Sequence, residues 1–204
     1  MTDETPEEVR RRFDERAATY DESEMHRGLA EAVAAFADLG SVTGVLDVAT
    51  GTGLVLRALR ARAGSAQLRM IGVDLSPGML AVARAALPDA ELIEADAATL
   101  PVPDASVDLV TCVTGLQMFT RSDQAIREWA RVLRPGGAVI TATFSAVDLT
   151  EHRGAHPVRL QHDRFRTPEL MRAAFAPAGL ELTRHRSWIH GADTVLIAEA
   201  VLRD

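Results

Sequence analysis

From about residue 42 onward the chain alternates between two hydrophobic patterns. Short apolar runs mark strands at Val45–Val48, Leu68–Val73, Glu91–Ala95, Asp108–Val113 and Ala138–Phe144. Stretches with helical spacing separate them at Leu54–Arg62, Pro77–Ala86 and Asp123–Leu133. A loop runs through Pro101 and Pro103, and Arg134-Pro135-Gly136-Gly137 reads as a turn. Strands alternating with helices imply βαβ units with right-handed crossovers and a mostly parallel sheet. Two helices precede this core. Thr5-Pro6-Glu7-Glu8 is a helix start, with Thr5 as cap, Pro6 in the first position and Glu8 closing a capping box. Val9, Phe13 and Ala17 then share one face, and a second helix covers about His26 to Leu39, stopping at Gly40. The chain's end differs. Thr167-Pro168-Glu169 opens a helix to about Ala178, and strands follow near Glu181–Ile189 and Thr194–Leu202. Their link, His190-Gly191-Ala192-Asp193, is too short for a helical crossover and permits a hairpin.

The expected architecture is therefore α/β: a doubly wound, mostly parallel seven-stranded sheet ending in an antiparallel hairpin. With 204 residues, one domain over 1–204 is the default. It divides into helices over 1–41, the alternating core over 42–144, a short segment over 145–167, and the last helix and hairpin over 168–204.

Composition narrows the chemistry. The chain has no Lys and no Asn, and all 22 basic residues are Arg. Lysine Schiff-base chemistry and P-loop nucleotide hydrolysis are thus excluded. The single Cys112 rules out an internal disulfide and any paired-cysteine redox or zinc motif. The net charge of −7 argues against bulk binding to nucleic acid or to an anionic membrane. The acidity is local: residues 1–24 hold nine Asp/Glu and four Arg, a net of −5, leaving −2 for the rest. No apolar run approaches the roughly 20 residues of a membrane span, and the start does not read as a signal peptide. The expectation is a cytoplasmic protein, monomeric or homodimeric, without membrane insertion.

Four strand ends carry the candidate chemistry. Val45-Leu46-Asp47-Val48-Ala49-Thr50-Gly51-Thr52-Gly53 runs a strand into a glycine turn that opens a helix. Such a turn lets backbone approach a ligand and presents free N–H groups. A dinucleotide pyrophosphate wants a third glycine, and that position is Leu56. Asp47, a carboxylate at neutral pH by its ordinary pKa, suits an ammonium or sulfonium group instead. Asp74 ends the second strand, 21 residues after Gly53, where doubly wound folds pair an acid with ribose hydroxyls. Ser76-Pro77 beside it is equally a helix cap. Asp96 and Ala97 follow the third strand, placed to meet an adenine edge; a solvated loop acid is the other reading of Asp96. The strand ending in Val113-Thr114 lies at the expected switch point of the sheet.

Together these segments resemble the class I S-adenosylmethionine-dependent methyltransferases. The motifs are Asp47…Gly51-Thr52-Gly53, Asp74-Leu75-Ser76-Pro77-Gly78-Met79-Leu80, Asp96-Ala97, Asp108-Leu109-Val110 and Leu133-Arg134-Pro135-Gly136-Gly137. Phe13…Ala17…Tyr20-Asp21 also looks like the N-terminal segment of the ubiquinone/menaquinone biosynthesis-type enzymes. The resemblance covers residues 8–145 closely and the rest loosely. It implies a Rossmann-like fold, an N-terminal helical lid, S-adenosyl-L-methionine as cofactor and S-adenosyl-L-homocysteine as product. It assigns Asp47, Ala49, Gly51 and Gly53 to the methionine part and Asp74 to the ribose. Leu75 and Met79 would sandwich the adenine, and Asp96 with Ala97 would read its edge. The backbone at Val113 and Thr114 would meet the methionine amine, under Tyr20. Two features depart from the family: Thr50 stands where Cys or Gly is commoner, and Ser145–Arg166 leaves room for only a small substrate cap.

The acceptor is approached by elimination. The motif of DNA and protein-amide methyltransferases needs Asn, which the chain lacks, and Cys112 sits inside an apolar strand. No acidic metal cluster stands out, and no metal is expected. A small-molecule acceptor remains, with no nucleic acid. Methyl transfer from a sulfonium needs mainly alignment, and a base only if the acceptor loses a proton. His152 and His26 are the candidate bases; Gln117, Phe119, Arg153 and His156 are the candidate acceptor contacts, set against plain solvated-loop readings. Two other functions compete: a non-catalytic module that keeps the fold, and a nucleotide-cofactor oxidoreductase.

Overall fold

The structure, a computed structural model, describes residues 5–64, 67–146 and 162–203. Short side chains start most of its helices. In α1 (Pro6–Arg16) the Glu8 N–H donates to the Thr5 hydroxyl at 3.3 Å, and the Glu8 carboxylate accepts from the Thr5 N–H at 2.7 Å. This reciprocal pair satisfies two orphan donors of the first turn. A 3-10 turn over Ala17–Glu22 leads to α2 (Glu24–Phe36), capped by Ser23. Ser76 caps α4 (Pro77–Ala86) and Thr167 caps α7 (Pro168–Phe175). Helix α3 (Leu54–Ala63) begins after Gly53, and α5 spans Ser122–Val132.

Seven strands form one sheet: β1 (Gly44–Val48), β2 (Arg69–Asp74), β3 (Glu91–Glu94), β4 (Val107–Val113), β5 (Leu133–Ala146), β6 (Leu180–His190) and β7 (Asp193–Leu202). The spatial order is β3-β2-β1-β4-β5-β7-β6. The first five are parallel; β7 runs antiparallel between β5 and β6. The hairpin expected from the short link therefore forms, and its second strand takes the inner place.

Period-two alternation sends side chains to two apolar layers. Leu46, Val48, Ile71 and Val110 pack with Trp129 of α5 and Phe175 of α7, whose rings meet edge to face at 6.3 Å. Val45, Met70, Leu109 and Ile140 pack under Leu29 and Val33 of α2 and Leu56 and Leu59 of α3. Strands covered on both faces read as continuous apolar runs, which is why they were legible.

Two details differ from the sequence expectation. Val107 pairs with Leu133 and Leu109 with Ala138, so Arg134–Gly137 loops out inside β5 rather than preceding it. Gly136 there has φ 73°. Asp108 fastens this bulge: one carboxylate oxygen accepts from Arg134 at 2.6 Å, the other from the Thr43 hydroxyl and the Thr43 and Gly44 N–H groups. Burial opposes its ionisation, yet these donors hold its carboxyl well below the usual range. Asp108 thus works at the N-terminal end of the sheet. The second difference is α6 (His162–Phe165), too short to show a period. Among the described residues, no helix is long and apolar enough to cross a membrane, and no group of three His, Cys, Asp or Glu could hold a metal ion.

Candidate functional site

The sheet order reverses around β1, whose neighbours β2 and β4 leave in opposite directions. Ligands of open α/β sheets bind at such a point, outside the carboxyl ends of the strands. The turn after β1 is built from left-handed residues: Ala49, Gly51 and Gly53 have φ of 56°, 55° and 80°. Thr114, just after β4, also has φ 56°. Ala49 and Thr114 are non-glycine residues in this region, at a cost of about 1–2 kcal/mol each. Both line one cavity.

Asp74 stands on the floor of that cavity. Its Oδ2 accepts the Gly51 N–H at 2.8 Å and its Oδ1 the Ser76 N–H at 2.9 Å. Burial raises its pKa above the usual carboxylate value, while those N–H groups pull it down. Ala49 and Gly51 share the floor; Leu75, Met79, Asp96 and Ala97 form one wall, Val113, Thr114 and Phe119 another. Asp96 is committed at both oxygens: Oδ1 accepts the Ala98 N–H and Oδ2 accepts from Arg121, each at 2.7 Å. The roof is the N-terminal segment, through Val9, Arg10, Phe13 and Tyr20. Burial pushes the Tyr20 hydroxyl's pKa up to about 12, against the opposing influence of the Thr114 side chain.

Four of the expected residues are not on the cavity wall. Asp47 lies beneath the turn, 1 % exposed. Its Oδ2 accepts the Thr50 hydroxyl at 2.7 Å and its Oδ1 the Thr111 hydroxyl at 2.6 Å. Burial pushes its pKa up to about 7, against those two hydroxyls and with help from the Asp74 charge. It is therefore not the firm carboxylate that its ordinary pKa implies. Gly53 faces α4, and a Cβ there would lie 2.8 Å from Leu87 Cδ1. Gln117 is buried, its Nε2 donating to the Thr114 carbonyl at 3.0 Å. His26 packs behind Tyr20 with ring centroids 4.5 Å apart. Burial first, then Arg16, lowers its pKa to about 4, so the imidazole is neutral at pH 7. His152, Arg153 and His156 lie outside the described residues.

The roof's fastening was not anticipated. Asp14 of α1 accepts the Ser76 hydroxyl at 2.6 Å and the Gly78 N–H at 2.9 Å, at the start of α4. Asp21 accepts from the Thr52 hydroxyl and from Arg57, both at 2.5 Å, at the start of α3. Two carboxylates thus seat the roof on the positive ends of two helices. Gly78 is the one sequence clue: a Cβ there would lie 2.9 Å from Asp14 Oδ1 and 3.1 Å from its Cα. Arg10 and Arg121 carry no local signal; only folding brings them to the cavity.

Comparison with known proteins supplies the family. Residues 46–141 match the family described as Methyltransferase domain. A demethylmenaquinone methyltransferase of Renibacterium salmoninarum is 32 % identical over 205 residues, covering 95 % of this chain and 78 % of the relative. Another, of Deinococcus radiodurans, is 43 % identical over 122 residues, 58 % of this chain and 50 % of the relative. For most of the curated relatives the match spans about half of their length. Among solved structures, the methyltransferase in complex with the Haloferax volcanii Trm112 methyltransferase activator has TM-score 0.74 and 26 % identity, covering 94 % of this chain and 98 % of that one. The [4+2]-cyclase SpnF has TM-score 0.69 at 20 % identity, over 87 % of this chain and 81 % of its own. The latter likeness is one of fold, and that fold hosts more than one reaction. The chain belongs to the class I methyltransferases, in the family that includes the demethylmenaquinone methyltransferases.

Proposed function

We propose that the protein transfers a methyl group from S-adenosylmethionine to a small-molecule acceptor by direct displacement. Asp74 carries this reading. A buried carboxylate fixed by two backbone N–H groups lines the cavity and, with about four lone-pair sites on its two oxygens, keeps capacity to accept further bonds. Vicinal ribose hydroxyls bring the two donors that such a carboxylate lacks. The rest of the cavity fits the same group. Leu75 and Met79 offer apolar faces to a flat base, Asp96 an acceptor for its amino group, and the Ala97 N–H a donor to its ring. Gly51, at φ 55°, lines the floor without a side chain. The Val113–Thr114 backbone and Tyr20 enclose the methionine end. Asp47 acts from below, holding the turn through Thr50, and β4 through Thr111. Leu56 at the third glycine position speaks against a pyrophosphate-bearing cofactor.

S-adenosylmethionine supplies a methyl group already activated by its sulfonium charge, so the protein's task is alignment and exclusion of water. The roof does both: Phe13 and Tyr20 cover the cavity while Asp14 and Asp21 fix their position. The relatives' names point to a ring-type acceptor related to menaquinone precursors. The test is a calorimetric titration with S-adenosylhomocysteine, with NADH as control, followed by transfer of labelled methyl to candidate acceptors. Binding of the former alone supports the reading; binding of NADH alone, or of neither, overturns it.

A further inference from the structure

Arg121 stands where helix chemistry disfavours it. It occupies the N-cap position of α5, where Ser, Thr, Asp or Asn would bond the first N–H groups, and its side chain makes no capping bond. A cation is also unfavourable at the positive end of a helix. Burial does not account for it either, since the side chain is 50 % exposed. What Arg121 does hold is Asp96, 25 residues earlier in the chain, whose Oδ2 accepts from its guanidinium at 2.7 Å. Both residues line the cavity. The other arginine on that lining, Arg10 of the roof, lies 3.9 Å from Glu94 instead.

Resting on the methyl-transfer reading, we propose that Arg121 is a positioning residue for cofactor specificity: it holds the Asp96 carboxylate in the orientation that accepts the amino group of the adenine, and it acts through Asp96 alone. The other Asp96 oxygen, Oδ1, accepts the Ala98 N–H at 2.7 Å. That bond by itself lets the carboxylate pivot, because the last torsion of an aspartate side chain is soft. The bond from Arg121 to Oδ2 supplies a second fixed point, and two points set the carboxylate plane. The two bonds use about half of the roughly four lone-pair sites on a carboxylate, so each oxygen keeps capacity to accept from a ligand. An ion pair this exposed adds little to the stability of the fold, and its consequence is therefore the direction of Asp96. A guanidinium suits the task because its donors lie in one plane, whereas an ammonium is a point charge on a flexible stem. The base edge is thus read by one residue and aimed by another from a different element.

The experiment measures, by calorimetry on the full chain, the affinities of S-adenosylhomocysteine and of its analogue with unsubstituted purine in place of adenine, which lacks only the amino group. Wild type should favour the amino-bearing ligand by about tenfold or more, since the analogue leaves an Asp96 acceptor unmet. Arg121→Met keeps a long stem and removes the donors. It should cut the preference to about threefold or less, while affinity for the analogue stays within about twofold of wild type. Arg121→Lys should restore part of the preference. Asp96→Ala should abolish it, and adding Arg121→Met to that variant should change nothing further. The proposal is overturned by an equal loss for both ligands in Arg121→Met, by an unchanged preference in that variant, or by a further loss in the double variant, which would put Arg121 on the ligand itself. A wild type that binds both ligands equally takes Asp96 off the base edge and overturns the proposal, with the methyl-transfer reading left standing. A wild type that binds neither overturns both.

Discussion

Replacing Asp14 with Ala separates the roof of the cavity from its floor. In the wild type one oxygen, Oδ1, accepts the Ser76 hydroxyl at 2.6 Å and the Gly78 N–H at 2.9 Å. Both donors sit at the positive end of α4, and both bonds are charge-assisted. Helix α1 has no fully buried residue, so apolar burial contributes little to keeping it seated. At about 1.5 kcal/mol for each bond, the low end for charged partners, the two together contribute roughly 3 kcal/mol. Since 1.4 kcal/mol is about tenfold, the balance between seated and lifted roof shifts by about two orders of magnitude. Hydrogen exchange reads that balance directly, because amides exchange through local opening. Amides of residues 6–22 are expected to exchange up to about a hundredfold faster in Asp14→Ala, while those of β1 and β4 keep wild-type rates. S-adenosylhomocysteine should dissociate at least tenfold faster. Gly78→Ala should do the same by a different route, since its Cβ would lie 2.9 Å from Asp14 Oδ1. A folded Asp14→Ala protein with wild-type exchange over residues 6–22 would refute the reasoning: the roof would then be held by its apolar contacts alone.

Three further outcomes follow from the same geometry. Asp74→Ala should weaken S-adenosylhomocysteine binding by about 1–3 kcal/mol through lost charge-assisted hydrogen bonds; an unchanged calorimetric dissociation constant removes Asp74 from the ligand. Asp47 has a pKa raised from 3.8 to about 7 by burial, so the folded state binds its proton more tightly than the unfolded chain. Its stabilisation is complete below pH 3.8 and is lost as pH rises through 7. Between pH 5 and 8 the wild type should lose roughly 3 kcal/mol more stability than Asp47→Asn. Parallel urea midpoints for the two proteins across that range would contradict this. Gly53→Ala combines a left-handed φ of 80° with a Cβ only 2.8 Å from Leu87 Cδ1. It should cost about 2–4 kcal/mol in denaturant unfolding, and a cost below about 0.5 kcal/mol would mean that α3 and α4 separate freely.

Much of the fold was legible because its central strands β1, β2 and β4 are short, apolar and largely buried, while α1, α2, α4 and α7 open on side-chain caps. Pro77–Ala86 is a helix with the limits its Ser76-Pro77 start implies, and the short link between the last two strands permitted the hairpin that forms. The Arg134–Gly137 turn was visible, but its place inside β5 was not, since a bulge is defined by the partner strand. The site was legible in kind. Asp74, Gly51 and Asp96 mark the C-terminal ends of strands, and strand order brings those ends together. Gln117 and His26 were visible as chemical types, but whether each touches the cavity depends on side-chain direction, which no spacing encodes.

The sequence by itself determined most of the strands and helices and the residue types around the cavity, because those depend on local propensity and on period. Tertiary structure decided the rest. It put Asp47 below the turn rather than on the cavity wall, because alternation along β1 turns its side chain between Thr50 and Thr111 into the protein. It seated α1 on α4 through Asp14 and Gly78, 64 residues apart. It also left His26 Nδ1 and Gln117 Oε1 buried without a hydrogen-bond partner. Such arrangements are long-range by nature: whether a polar atom is satisfied depends on everything packed around it, and that environment exists only once the chain has folded.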